Sequence, residues 1–152
     1  MKTIDIIVPF FNEEEVVIDF IAALNNEVNE IMSNNNDILF NYIFVDNGSV
    51  DKTYDILTKQ SKDQKNINLI KLIRNFGIDG GIRAGLNFSE SDAAIILHGD
   101  LQDNPKIIRK LINHWENGFE QVVVRYNPKE RENFTRKLGT YFYYKCRNYV
   151  TF

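Results

Sequence analysis

The chain has 152 residues, 43% hydrophobic and 26% charged, with a net charge of -3, which fits one globular domain with room for a sizeable core. No apolar run approaches the roughly 18 residues that span a bilayer, and Met1-Lys2-Thr3-Ile4-Asp5 carries an acid where a signal peptide would be apolar. A lone Cys146 excludes an internal disulfide and fits a reducing cytoplasm.

The small net charge hides an asymmetry. From Arg125 onward seven Lys or Arg face only Glu130 and Glu132, a net +5, which leaves -8 on residues 1–124. The chain therefore divides into an acidic core over 1–124 and a basic, aromatic arm over 125–152 of the same domain. Such an arm suits phosphorylated substrates, anionic lipid or nucleic acid, and charge alone does not choose among them.

In chain order, Ile4 to Val8 predicts a first strand ended by Pro9. A helix is expected from about Glu14, with Val16, Phe20 and Leu24, and Val17, Ile21, Val28 and Ile31, at helical spacing. The polar tract from Ser33 to Asp37 is a loop. Leu39 to Val45, rich in β-formers, predicts a second strand that stops at Asp46-Asn47-Gly48-Ser49, and a second helix runs from about Asp51 to Ser61. Ile67 to Ile73 predicts a third strand ending at Arg74-Asn75-Phe76-Gly77, followed by a short helix from Ile78 to Phe88. Ala93 to Leu97 is a fourth strand, and the helix after it is opened by Pro105 and closed near Gly118. Gln121 to Val124 predicts a fifth short strand, and Asn133 to Tyr149 an aromatic-rich helix. Alternating strands and helices imply an α/β fold with a mostly parallel central sheet flanked by helices.

On such a sheet the first four strands release Pro9 to Asn12, Asp46 to Ser49, Asn75 to Gly77 and His98 to Asp103 at one edge, where open α/β sheets bind ligands. In His98-Gly99-Asp100-Leu101-Gln102-Asp103, Asp100 and Gln102 offer hard oxygen donors two residues apart, suited to Mg²⁺ or Mn²⁺ and a diphosphate. Taken singly, Asp46-Asn47-Gly48-Ser49 also reads as a tight turn with a helix cap. Gly77-Ile78-Asp79-Gly80-Gly81 lacks the dinucleotide-binding spacing, and no phosphate-loop lysine pattern occurs.

Four segments together carry a family resemblance: Ile7-Val8-Pro9-Phe10-Phe11-Asn12-Glu13-Glu14-Glu15, Phe44-Val45-Asp46-Asn47-Gly48-Ser49-Val50-Asp51-Lys52-Thr53, Arg74-Asn75-Phe76-Gly77, and Gly99-Asp100-Leu101-Gln102-Asp103-Asn104-Pro105. In that order they resemble the family-two glycosyltransferases of Rossmann-like GT-A fold, in the branch of dolichol-phosphate mannose synthase and bacterial polyprenyl-phosphate sugar transferases. The resemblance implies a metal-dependent, inverting transfer of a sugar from a UDP- or GDP-sugar, with a polyprenyl phosphate as acceptor. It implies that Pro9, Phe11, Asn12, Glu13, Asp46, Asn75 and Gly99 bind the nucleotide, that Asp100 and Gln102 hold Mg²⁺ or Mn²⁺, and that Asp100, Arg125 and Arg131 serve catalysis, with Lys137 at a further basic position.

The alternatives are a transferase that elongates a surface polysaccharide and a truncated, inactive nucleotide-binding or interaction module. Phe134, Leu138, Tyr141, Phe142 and Tyr149 interleave with Arg136, Lys137, Lys145 and Arg147, a mixture suited to a lipid headgroup surface or to packing on the sheet. The implied location is cytoplasmic, at the inner face of the membrane, with peripheral membrane contact, self-association through an unfinished sheet, and no nucleic-acid partner.

Three departures from the family pattern stand out. His98 and Gly99 replace the first two residues of the usual Asp-Ala-Asp, Asn47 replaces the second acid of Asp-Asp-Gly-Ser, and the C-terminal part of the fold is truncated.

Overall fold

The structure is a computed structural model that describes residues 1–35, 37–100 and 104–124. It divides into two compact units, Met1–Phe119 and Glu120–Phe152, and the fold described below is that of the first. Four strands and four helices alternate: β1 (Lys2–Phe10), α1 (Val17–Asn34), β2 (Ile38–Asp46), α2 (Thr53–Asp63), β3 (Ile67–Lys71), α3 (Gly77–Phe88), β4 (Ala93–Ile96) and α4 (Ile107–Glu116). All strand pairs are parallel, in the order β3-β2-β1-β4. This is the expected α/β architecture, with β1 and β2 buried between helices.

Side-chain alternation along β1 splits the interior into two layers. Ile4, Ile6, Val8 and Phe10 join Phe20, Leu24 and Val28 of α1, Leu57 of α2 and Ile108 and Ile112 of α4 in the larger core. The Phe10 ring meets Phe20 and Phe44 edge-on, at centroid distances of 5.8 and 5.4 Å, the arrangement that aromatic quadrupoles favour. On the opposite face Ile7, Ile43 and Val45 form a smaller layer with Ile70, Leu72 and Ala84. There α3 lies so close that a Cβ on Gly85 would fall 2.3 Å from Ile7 Cγ2, and one on Gly81 would fall 2.8 Å from Pro9 Cβ.

Proline does not end the first strand. Pro9 pairs with Val45, and β1 continues to Phe10 opposite Asp46. The ladder geometry explains why: Leu97 N–H donates to Ile7 O, so the odd residues of β1 face β4, while Phe10 O faces β2 and accepts from Asn47 N–H. The β1–β4 pairing stops at Ile7–Ile96, so the donor that proline lacks points where no ladder needs it.

The fifth strand expected at Gln121 to Val124 is not formed. These residues carry no strand structure, Val123 is exposed, and no ladder partner meets them among the described residues, without which an extended segment has no backbone hydrogen bonds to hold it. The third strand also ends early, at Lys71, and Ile73 is exposed. The first helix starts at Val17, because Glu13 and Glu14 are bonded to the neighbouring loop. The expected helix from Asn133 to Tyr149 lies outside the described residues. No helix among the described residues is long and apolar enough to cross a membrane.

Two charged groups are buried to fix the packing. Glu27 of α1 accepts from Arg109 of α4, whose guanidinium also reaches Glu30 at 2.6 Å, and these carboxylates raise the Arg109 pKa further above its ordinary value. Asp5, in the middle of β1, accepts from Ser91 Oγ (2.6 Å), Ser89 Oγ (2.7 Å) and Asn41 Nδ2 (3.2 Å). Burial alone would raise its carboxyl, but these three donors outweigh it and hold the pKa below the usual aspartate value.

Two outcomes follow for stability. Gly85→Ala forces a methyl into Ile7 and should cost about 1–3 kcal/mol in chemical denaturation. Because the folded pKa of Asp5 is depressed, its ionic contribution is complete above the unfolded aspartate value and is lost as pH falls through the folded one. The stability gap between wild type and Asp5→Asn, followed by denaturant titration across pH, should therefore be constant near neutrality and close in acid.

Candidate active site

The in-register parallel ladder brings the carboxyl ends of β1, β2 and β3 level, since Phe10 pairs with Asp46 and Asp46 with Lys71. The first two loops leaving that edge are stitched together. Ser49 Oγ accepts from Asn12 N–H (3.1 Å), Thr53 Oγ1 from Glu13 N–H (2.8 Å) and Asp51 Oδ2 from Glu14 N–H (3.1 Å). In return Asn12 Oδ1 accepts from Val50 N–H (2.9 Å) and Glu14 Oε2 from Lys52 N–H (2.9 Å). Asn12 takes up a left-handed backbone, φ +56°, which asparagine tolerates better than other non-glycine residues. Asp51 Oδ1 also accepts from Thr53 N–H (2.9 Å), satisfying an open donor at the start of α2.

Asp46 is fully buried at the end of β2. Its Oδ1 accepts from Ser49 N–H at 3.2 Å, the short-range turn foreseen from Asp46-Asn47-Gly48-Ser49. Among the described residues its Oδ2 has no hydrogen-bond partner. A buried carboxylate oxygen left open is costly unless something else donates to it.

The third loop is held by Asn47, buried to 3% exposure. Its amide accepts from Phe76 N–H (3.0 Å) and donates to Gly77 O (2.9 Å) and Asn75 Oδ1 (3.3 Å). Asn75 Oδ1 further accepts from Gly77 N–H at 2.7 Å. Gly48, at φ +75°, lies against the Arg74 backbone, where a Cβ would meet Arg74 C at 2.3 Å. Arg74 projects at the surface with its guanidinium 4.2 Å from the centre of the Phe76 ring.

From the fourth loop, Gly99 is buried against Phe10, whose ring lies 2.5 Å from where a Cβ would be. That contact accounts for the glycine in Gly99-Asp100: the large Phe10 side chain takes the space a methyl would need. Asp100 is half-buried and close enough to Glu13 to influence it electrostatically. Burial, then the Asp100 and Asp51 charges, push the Glu13 carboxyl above its ordinary value. Among the described residues no three His, Cys, Asp or Glu converge as a metal cage. The donor chemistry fits a divalent ion held by Asp100 together with diphosphate oxygens and water, since a cation would relieve the repulsion between Asp100 and Glu13.

The structure thus brings Pro9, Asn12, Glu13, Asp46, Asn75, Gly99 and Asp100 to one edge. Pro9 is buried against α3, and Phe11 is 40% exposed. Gln102, Arg125, Arg131 and Lys137 lie outside the described residues. Sequence reading missed that Ser49, Asp51 and Thr53 serve the first loop and that Asn47 serves the third. The available signal was their spacing as short hydroxyl, acid and amide side chains beside a helix start.

The family model for Glycosyl transferase family 2 matches residues 5–151. The chain belongs to that family. It is 29% identical over 146 residues to an uncharacterized glycosyltransferase, YkcC, of Bacillus subtilis, spanning 96% of this chain and 44% of that protein. It is 28% identical over 148 residues to a prophage bactoprenol glucosyl transferase homolog of Escherichia coli, spanning 97% of this chain and 47% of the relative. The chain therefore spans less than half the length of these curated relatives. Among solved structures, S. aureus TarS 1–349 in complex with UDP-GlcNAc superposes with a TM-score of 0.59 at 18% identity, over 84% of this chain and 37% of that one. That likeness shows the fold, the Rossmann-like GT-A arrangement expected from the sequence.

Thr53→Val keeps the shape but removes the acceptor for Glu13 N–H. It should cost about 1–3 kcal/mol in denaturant titration and speed hydrogen exchange at the Glu13 amide.

Proposed function

We propose that the chain is the nucleotide-sugar-binding part of an inverting glycosyltransferase that passes a sugar from a UDP- or GDP-sugar to a polyprenyl phosphate, with Mg²⁺ or Mn²⁺ at Asp100 and Gln102. The observation that carries this reading is Asp46 Oδ2, a buried carboxylate oxygen without a partner among the described residues, at the edge where the family's loops meet. An N–H of a base or a ribose hydroxyl would satisfy it. Pro9, Phe11, Asn12, Glu13, Asn75 and Gly99 supply the walls and the backbone around it. Similarity to relatives such as the bactoprenol glucosyl transferase of Shigella phage SfX supports the lipid-phosphate acceptor.

The chemistry is a single displacement at the anomeric carbon: the acceptor phosphate oxygen bonds to it as the bond to the nucleoside diphosphate breaks. A phosphate is already anionic near neutral pH, so the reaction needs no side chain to remove a proton from the nucleophile. A bound divalent ion would neutralise the charge gathering on the departing diphosphate. In this reading Arg125 and Arg131 draw in the acceptor phosphate, and the acceptor's lipid brings the enzyme to the inner face of the membrane.

Calorimetric titration with UDP, GDP and their sugar conjugates, with and without Mn²⁺ or Mg²⁺, tests the donor site. Metal-dependent binding of one nucleotide is expected, weakened by about tenfold or more in Asp46→Ala and losing its metal dependence in Asp100→Ala. No binding of any nucleotide would remove the reading, and binding without sugar transfer to a polyprenyl phosphate would remove its acceptor half.

A further inference from the structure

The Asn47 side chain spends every one of its bonds described above on the loop that follows β3. The loop offers two backbone groups of opposite kind from consecutive residues: the Phe76 N–H, which needs an acceptor, and the Gly77 carbonyl, which needs a donor. One side chain meets both only if it carries an acceptor and a donor on the same short stem, which is the property of an amide. The opposite demands of the two groups also fix which end of the amide is oxygen and which is nitrogen. Carboxylate at this position would keep the Phe76 bond but set a negative oxygen against Gly77 O and Asn75 Oδ1.

We propose that Asn47 is a positioning residue, an amide latch that joins the strand end bearing Asp46 to the loop bearing Arg74 and thereby fixes the distance between that acid and that cation. Gly48 completes the latch from the next position, its missing side chain letting the Arg74 backbone lie directly on it. The consequence for ligand binding rests on the donor-site reading above. A nucleotide that donates to Asp46 Oδ2 lies within the span that the latch sets, and the latch orders the Arg74–Gly77 loop before the ligand arrives, so that binding does not have to.

The requirement for an amide gives a pH signature that a general packing role lacks. In Asn47→Asp the introduced carboxyl regains a donor when protonated, so acid restores the latch, whereas Asn47→Ala has nothing to protonate. The charged groups on the neighbouring segments include Asp46 beside it, Lys71 at the end of β3, Arg74 on the latched loop, and Asp79 and Arg83 of α3. All are common to both variants, which makes Asn47→Ala the control for their titration.

The test is amide hydrogen exchange at Phe76 and Gly77, measured by NMR on the whole 152-residue chain near neutral pH and in mild acid, with each rate divided by its intrinsic value. In the unmodified chain the Phe76 amide, though in a loop, should be protected by about tenfold or more at both pH values; the absence of that protection overturns the latch without any variant having to fold. Protection should be lost in Asn47→Asp near neutrality and recovered in acid, and lost at both pH values in Asn47→Ala. An Asn47→Asp variant as protected as wild type near neutrality overturns the need for an amide. Titration with UDP and GDP on the same samples decides the positioning role: affinity should fall about tenfold in Asn47→Asp and return with acid. Affinity unchanged while protection is lost overturns positioning. If the unmodified chain binds neither nucleotide, the donor-site reading fails and the positioning role falls with it, while exchange alone still decides the latch.

Discussion

The first two loops of the carboxyl edge, on which the others are built, depend on the five hydrogen bonds by which the loops after β1 and β2 satisfy one another's backbone. Neither loop has regular structure to occupy its N–H groups, and each residue held in place costs about 1–2 kcal/mol of backbone entropy. A single hydrogen bond returns only about 0.5–1.5 kcal/mol net, so one or two would not hold such a segment. The reciprocal set does, because it closes a ring: Asn12 and Glu14 give acceptors to the second loop, and Ser49, Asp51 and Thr53 give acceptors to the first. The ring in turn requires the parallel register that places Phe10 opposite Asp46. A slip of one residue would exchange the two faces of β1 and move Phe10 out of the core.

Two buried aspartates on adjacent central strands show how structure separates scaffold from site. Asp5 and Asp46 are alike in type and in burial; Asp5 interrupts a hydrophobic run and Asp46 ends one. Asp5 is met by three side-chain donors, so its charge is compensated within the fold and it ties the segment between α3 and β4 to β1. Among the described residues Asp46 is met by one backbone donor, which leaves an oxygen over. The fold tolerates the second at a cost, and a buried polar group left uncompensated is where a functional cause is the economical one.

How much of this was legible in the sequence follows from the range of the interactions involved. The alternation of strands and helices was readable because period and punctuation are local: Val17, Phe20, Ile21, Leu24, Val28 and Ile31 follow the 3.6 repeat, and they are the buried face of α1. The convergence of four loops followed from parallel topology alone. Pro9 misled because a proline's effect on a strand depends on which neighbour its missing donor faces, and that is set by where β4 stops. The absent strand at 121–124 misled in the same way, since strand formation needs a partner that a sequence window does not contain. Within the site, residue types pointed to the edge but not to their partners: Asn12 and Asn75 spend side-chain oxygens on backbone N–H groups, and Gly99 answers to Phe10, 89 positions earlier in the chain.

The charge distribution supplies the last constraint. The edge gathers Glu13, Asp46, Asp51 and Asp100, and burial together with the Asp100 and Asp51 charges raises the Glu13 carboxyl. Helix starts at α2 and α3 add only partial positive charge there. An acidic edge of this kind repels a diphosphate, so an anionic ligand needs positive charge brought to it. Besides the exposed Arg74 on the third loop, two sources are consistent with the composition: a divalent ion, and the seven Lys and Arg that the sequence concentrates after residue 124. Under the proposed function the asymmetry of the sequence acquires a reason: a net -8 over residues 1–124 would suit a cation that in turn binds phosphate, and a net +5 beyond them would suit a second phosphate that acidic residues alone repel.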